Sequence, residues 1–286
     1  MRKRTLATAV LAAAAFVLAA TTAQASPPPP SLGTIGGVVH VKGEASHRKT
    51  STPNLLYHGG PVMHGAAVTA IYWGTSWTAG SDKISWLGTF YSGIGGSRYA
   101  GTNTEYTDSQ GNVSSAVSYG GAVIDNSPAI GHAPQTSDIA AEVAKMIPRP
   151  VANGYYPVYV DTPRGHTGYC AWHSYGTING VNVRFGFFFN LDGDAGCDPQ
   201  SPVTSYSQGV AALANVSGHE LSEMLTDPAL NAWYDSTGEE NADKCAWTFG
   251  SKTVSFGGTQ WKIQGNWSNA AYDSGAGYQR GCIDGN

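Results

Sequence analysis

The stretch His219-Glu220-Leu221-Ser222-Glu223 holds the residues whose types and spacing most directly suggest chemistry. A histidine and a glutamate four apart on a helix stand one above the other. Two such side chains can converge on a divalent metal, as the histidines of HExxH do, and zinc also accepts carboxylate oxygen. Glu220 is then placed to take the proton of a metal-activated water as it attacks a carbonyl. HExxE alone is a weak pattern, because polar residues on an outer helix face are mostly only solvated. The segment Gly238-Glu239-Glu240-Asn241-Ala242-Asp243 strengthens it. Zincins of the thermolysin type take a third ligand from a glutamate about twenty residues after the second, with an aspartate one turn later behind the first histidine. Glu239 and Glu240 follow Glu223 by 16 and 17 residues, and Asp243 follows them by four and three. The expected set is therefore His219, Glu223 and Glu239 or Glu240 on Zn2+, with Glu220 as general base and Asp243 orienting His219. Three protein ligands and one open position are the catalytic arrangement.

His173, in Cys170-Ala171-Trp172-His173, is a candidate transition-state donor or fourth ligand, set against the commoner packed histidine. His58 and His64 flank a Gly-Gly-Pro turn and suit local hydrogen bonding, and His166 carries less still. Asp192, Asp194 and Asp198 alternate as calcium ligands can, but the distal glutamate of an EF-hand is missing, so a polar turn is expected. Trp233, Trp247, Trp261 and Trp267 could stack on sugars, and are more often core or edge residues. No GxSxG elbow supports a serine hydrolase. A glycosidase needs only two carboxylates, so Glu220 with Glu223 or Asp243 stays open as that alternative. The adjacent histidine fits metal chemistry better.

The elements that must position these residues are legible in part. Val210, Leu213, Ala214, Ser217, Leu221, Met224 and Leu225 recur at spacings of three, four and seven, which predicts a helix from about Tyr206 to Thr226, stopped at Asp227-Pro228. Its stripe should pack on the core, with His219 and Glu223 on the other side. A second helix is expected to Ile147, capped by Thr136 or Ser137. Ala67–Trp73, Tyr155–Val160 and Val183–Phe189 are β-branched and aromatic runs bounded by Gly, Pro or Asn, and read as strands. Helices and strands mix without regular alternation, so the class is α+β.

Arg2, Lys3 and Arg4, the apolar run Leu11–Ala20 and Ala23-Gln24-Ala25 read as a signal peptide over residues 1–25. No later run is long enough to span a membrane. Residues 26–54, with Pro27–Pro30, read as a Pro/Gly-rich linker or short propeptide, and 55–286 as the folded domain. A hydrophobic content of 41% excludes disorder across the chain. Without the signal, 13 basic face 20 acidic residues, and no basic run remains, which argues against nucleic acid. In an exported chain Cys170, Cys197, Cys245 and Cys282 should form two disulfides. Three connectivities are open, and the sequence-near pairs Cys170–Cys197 and Cys245–Cys282 are preferred. A cysteine zinc site lacks any CxxC spacing.

Several motifs in order resemble the Exordium or phosphate-induced protein family of secreted proteins. Tyr57-His58-Gly59-Gly60-Pro61-Val62 resembles its YHGGPV, and Ala70-Ile71-Tyr72-Trp73-Gly74 its following strand. Tyr159-Val160, Gly168-Tyr169-Cys170 and His173 are similar to its strand, cysteine and histidine block. His219–Glu223, Thr226-Asp227-Pro228, Asn231-Ala232-Trp233-Tyr234 and Glu240-Asn241-Ala242-Asp243-Lys244-Cys245 are the most specific. The resemblance covers about residues 55 to 250. It implies a secreted globular protein and favours Glu240 over Glu239 as third ligand. The chain departs from the family at Asp227, where members have Asn, and lacks the extra cysteines, so plant signalling partners do not carry over. Together these readings give a zincin-like α+β domain with a mixed sheet, an active-site helix and zinc-dependent hydrolysis of a peptide or protein substrate. The rival is a non-catalytic extracellular binding or signalling protein of the Exordium type.

Overall fold

The three β-branched and aromatic runs are strands of one mixed sheet. The structure, a computed structural model, describes residues 32–43, 53–131 and 134–286. The signal-peptide reading and Pro27–Pro30 lie outside the described residues. The sheet contains β1 (Gly36–His40), β2 (Ala66–Trp73), β3 (Val117–Asp125), β4 (Gly154–Pro163), β5 (Tyr169–Ile178) and β6 (Val181–Asn190). Their spatial order is β1-β5-β6-β4-β2-β3. β4 pairs in parallel with both β6 and β2, and β2 in parallel with β3, whereas β5 is antiparallel to β6 and to β1. The first seven residues of β4 are all buried, so both faces of the sheet are covered.

Three helices matter for the site: α1 (Asp82–Ile94), α2 (Thr136–Met146) and α3 (Gln208–Thr226). α2 begins as the sequence suggests, but its cap is Gln135, whose backbone N–H donates to Asp138. α3 starts where the Ser207 side chain accepts from the Val210 N–H, and ends at Asp227 before Pro228. α1 and α3 pack on the sheet face that carries Tyr159. The Tyr159 hydroxyl lies 2.8 Å from that of Tyr91 and 2.7 Å from that of Ser217.

Two expectations need correcting. α3 has no outer face, because every residue from Gly209 to Thr226 is buried. A helix buried all round sits inside the core, and here the side opposite the apolar stripe is covered by β1, β5 and the loops around 240 and 264. Residues 36–40, inside the stretch expected as linker, form the edge strand of the sheet. Its only fully buried apolar side chain is Val39, too little to give a readable period.

Cys170–Cys197 and Cys245–Cys282 are both disulfide-bonded. Among the described residues no helix is long and apolar enough to cross a membrane. Beyond the sheet, Leu56–Tyr57 pairs with Trp233–Tyr234, and Asn266–Trp267 with Cys282–Ile283. These short ladders tie the chain after α3 back onto the domain.

Candidate metal centre

Helical spacing puts His219 over Glu223, with Nε2 2.9 Å from Oε1. The α3 backbone fixes this pair, and the 3-10 turn Asp243–Cys245 brings the third group. Asp243 Oδ1 lies 3.4 Å from His219 Nε2. β5 supplies His173, whose Nδ1 is 2.9 Å from Glu220 Oε2 and 3.5 Å from Glu223 Oε2. On the far side of that ring, Nε2 stands 3.7 Å from Glu240 Oε2. Ligand atoms of His219, Glu223 and Asp243 lie within 4.8 Å of one another, and so do those of His173, Glu220 and Glu223.

Asp243, expected behind His219, thus stands among the donors. Glu240, expected as third ligand, instead faces His173. Glu239 lines a cavity of about 200 Å³ with Gly37, His40, Gly238 and Asp243. The group behind His219 is Gln264, which sequence reasoning missed. Its Nε2 is 2.9 Å from His219 Nδ1 and donates to the Ala242 carbonyl, while its Oε1 accepts from the Trp247 N–H. Asn215, one turn before His219, holds the Gln264 backbone N–H. An asparagine within the apolar run of α3 is a signal that could have pointed to a buried polar network. Nothing in spacing points to Gln264. Gly37 was missed because it lies in the presumed linker. It adopts a left-handed φ of 46°, and a Cβ there would stand 2.1 Å from His173 Nδ1 and 2.2 Å from Glu223 Oε2. Glycine is therefore required for β1 to pass over the cluster.

Electrostatics follow from burial and pairing. His173, His219, Glu220 and Glu223 are at most 1% exposed. Burial alone would lower the His219 pKa, but the facing Glu223 and Asp243 outweigh it and hold it well above the ordinary value. Burial is likewise outweighed at His173 by Glu220 and Glu223, which push it up to about 9. Burial raises Glu220 to about 8, partly offset by His173. At Glu223 burial is overcome by the two imidazoles, which bring it down to about 2. Burial and the surrounding carboxylates hold Glu240 well above the ordinary range.

A metal fits this set on one observation above the rest. Glu223 Oε2, Glu220 Oε1 and Glu240 Oε2 are buried without a hydrogen-bond partner, and His219 Nε2 has only its 2.9 Å approach to Glu223 Oε1. Orphaned buried groups cost about 1–3 kcal/mol each or more. Gln264 adds a condition. As it is oriented, His219 Nδ1 accepts, which puts the ring proton on Nε2. Ligation by Nε2 requires the other tautomer, with the amide turned so that Oε1 faces Nδ1–H, at the cost of its present bonds to the Ala242 carbonyl and the Trp247 N–H.

The other candidates resolve locally. Asp194 accepts from Arg164 and from the Gly196 and Cys197 N–H groups, forming the expected polar turn. His58 stacks on Tyr234, and His64 contacts Asp108 and the Asn112 carbonyl. His166 is exposed. Trp261 and Trp267 are buried, and Trp233 and Trp247 donate to the Thr107 and His40 carbonyls. No family model, curated protein or solved structure matches this chain.

Proposed function

We propose that this is a secreted, zincin-like, zinc-dependent hydrolase acting on peptide bonds. The observation that carries the reading is the triad of His219, Glu223 and Asp243 donors, the first two buried and the third partly exposed, beside a further carboxylate, Glu220, that lies outside this group. His219 Nε2, Glu223 Oε1 and Asp243 Oδ1 would hold the ion, which when bound supplies Lewis acidity and lowers the pKa of water. Glu220 Oε1, buried and unpartnered, is the atom that accepts the proton of the attacking water. His173 holds Glu220 through Oε2, so that Oε1 keeps its orientation. Protonated His173, at the same spot, is a donor toward developing negative charge. The signal-like pattern read over residues 1–25, the two disulfides and the Exordium-like motifs support an extracellular place.

A non-catalytic scaffold is favoured by one observation: β1 passes directly over the cluster at Gly37 and leaves all four central side chains buried. The deciding experiment is peptide hydrolysis by the mature chain, removed by a chelator and restored by zinc. Glu220→Gln should keep the zinc held by His219, Glu223 and Asp243 and lower hydrolysis by ~10²–10⁴-fold. Full activity in that variant sinks the mechanism, and no hydrolysis of a broad peptide library by the wild type favours the scaffold.

A further inference from the structure

Glu223 offers two oxygens to two different groups. Oε1 faces His219 Nε2 at 2.9 Å, and Oε2 faces His173 Nδ1 at 3.5 Å. His173 Nδ1 also has Glu220 Oε2 at 2.9 Å. Two ligands on a tetrahedral zinc at about 2.1 Å stand about 3.4 Å apart. The His173–Glu223 and His219–Asp243 separations of 3.5 and 3.4 Å match this, and the two 2.9 Å contacts fall short by a few tenths. Each histidine also has a polar group behind its other nitrogen, Gln264 for His219 and Glu240 for His173. Such partners orient metal-ligating imidazoles.

Charge points the same way. Glu220, Glu223, Asp227, Glu240 and Asp243 crowd two imidazoles, and among the described residues no lysine or arginine pairs with any of these five. With all five ionised and both imidazoles neutral, as ligation requires, one divalent ion leaves three of the five negative charges uncompensated, whereas in the metal-free protein protons on Glu220 and Glu240 offset part of that charge. Two bring it near neutrality. Buried charge without compensation costs several kcal/mol per ion.

We propose that the chain holds a second divalent cation of the zinc class, bound by His173 Nδ1, Glu220 Oε2 and Glu223 Oε2, with the Glu223 carboxylate bridging it to the first. Glu240 then positions His173. A carboxylate bridge sets the ions about 3.5–4 Å apart, the spacing at which two metals clamp attacking and leaving oxygens. The proposal rests on the hydrolase reading only in taking His219, Glu223 and Asp243 as the first site, and it replaces the hydrogen bond from His173 Nδ1 to Glu220 Oε2 and the donor role of His173 with coordination.

The test is zinc titration of the metal-free mature chain, with stoichiometry read by native mass spectrometry. Two ions per chain are expected in the wild type, and one in His173→Ala. Cobalt substituted at both sites should give a magnetically coupled pair by electron paramagnetic resonance. Saturation of the wild type at one ion overturns the second site and leaves the hydrolase reading standing. Saturation at none overturns both. Two ions retained at wild-type affinity in His173→Ala place the second ion elsewhere and overturn the assignment. Should His173→Ala fail to fold, His173→Gln and the wild-type stoichiometry still decide.

Discussion

The backbone N–H of Asp243 donates to Glu223 Oε1 at 3.0 Å, across 20 residues of chain. One carboxylate oxygen of the helix is thereby fixed by the turn that also brings the Asp243 side chain to His219. The contact joins the two halves of the proposed centre. It depends on Cys245 too, which ends the same turn and is bonded to Cys282.

On the proposed reading that geometry would make Asp243 a ligand, and it sets Glu240 beside His173. Asp243→Asn keeps the backbone N–H but removes the charge, so affinity for the first zinc should fall by at least ~10²-fold, the upper end of losses seen even for supporting groups. Glu240→Gln should weaken that site far less. Competition with a chromophoric chelator measures both, and the reverse ranking would restore Glu240 as the third ligand.

The Gln264 amide should turn over when metal binds. In the metal-free protein the ring proton of neutral His219 belongs on Nε2, and in the zinc form on Nδ1. Long-range nitrogen–proton NMR of the imidazole reads the tautomer directly. Gln264→Leu should lower zinc affinity by ~10–100-fold. An unchanged tautomer on zinc addition would exclude His219 Nε2 as a ligand.

β1 should govern access. It pairs along one edge only, and Val39 is its buried anchor. Val39→Asp places a charge in an apolar site and should loosen the strand over Gly37. Bound zinc should then be stripped by a chelator faster than from the wild type, followed by stopped-flow absorbance. Equal rates would mean that zinc leaves by another route.

Stability should fall as pH rises from about 5 to 7, in part through a group away from the centre. Glu142 is buried beside Asp125 and Lys145, and burial followed by the Asp125 charge pushes its pKa up to about 7 from 4.5. The folded state therefore holds this proton more tightly than the unfolded chain. Its contribution is fully present below pH 4.5 and is lost as pH rises through 7, by up to about 3 kcal/mol. Asp125, lowered mainly by Lys145 and Ser127 against its burial, acts in the opposite sense and only below pH 3.8. Urea unfolding at pH 5, 6, 7 and 8 should show this slope in the wild type and a flatter one in Glu142→Gln. Equal slopes would remove Glu142 as its source.

The sequence by itself determined the elements whose signals are local. A 3.6-residue period and the Asp227-Pro228 stop define α3, and β-branched and aromatic runs define β2, β4 and β6. The i, i+4 rule alone brings His219 to Glu223, and an even cysteine count in an exported chain predicts two disulfides, with three connectivities open until the structure pairs Cys170 with Cys197 and Cys245 with Cys282. Tertiary structure decided the rest, because it depends on contacts between distant segments. Periodicity marks one side of a helix as apolar but cannot say whether β1, β5 and Gln264 will cover the other. The three-residue step from Glu240 to Asp243 fits either carboxylate as a ligand until the 3-10 turn aims one at His219 and the other at His173. A single buried valine in a Gly-rich stretch carries no period, so only pairing with β5 reveals that residues 36–40 close the sheet over the cluster.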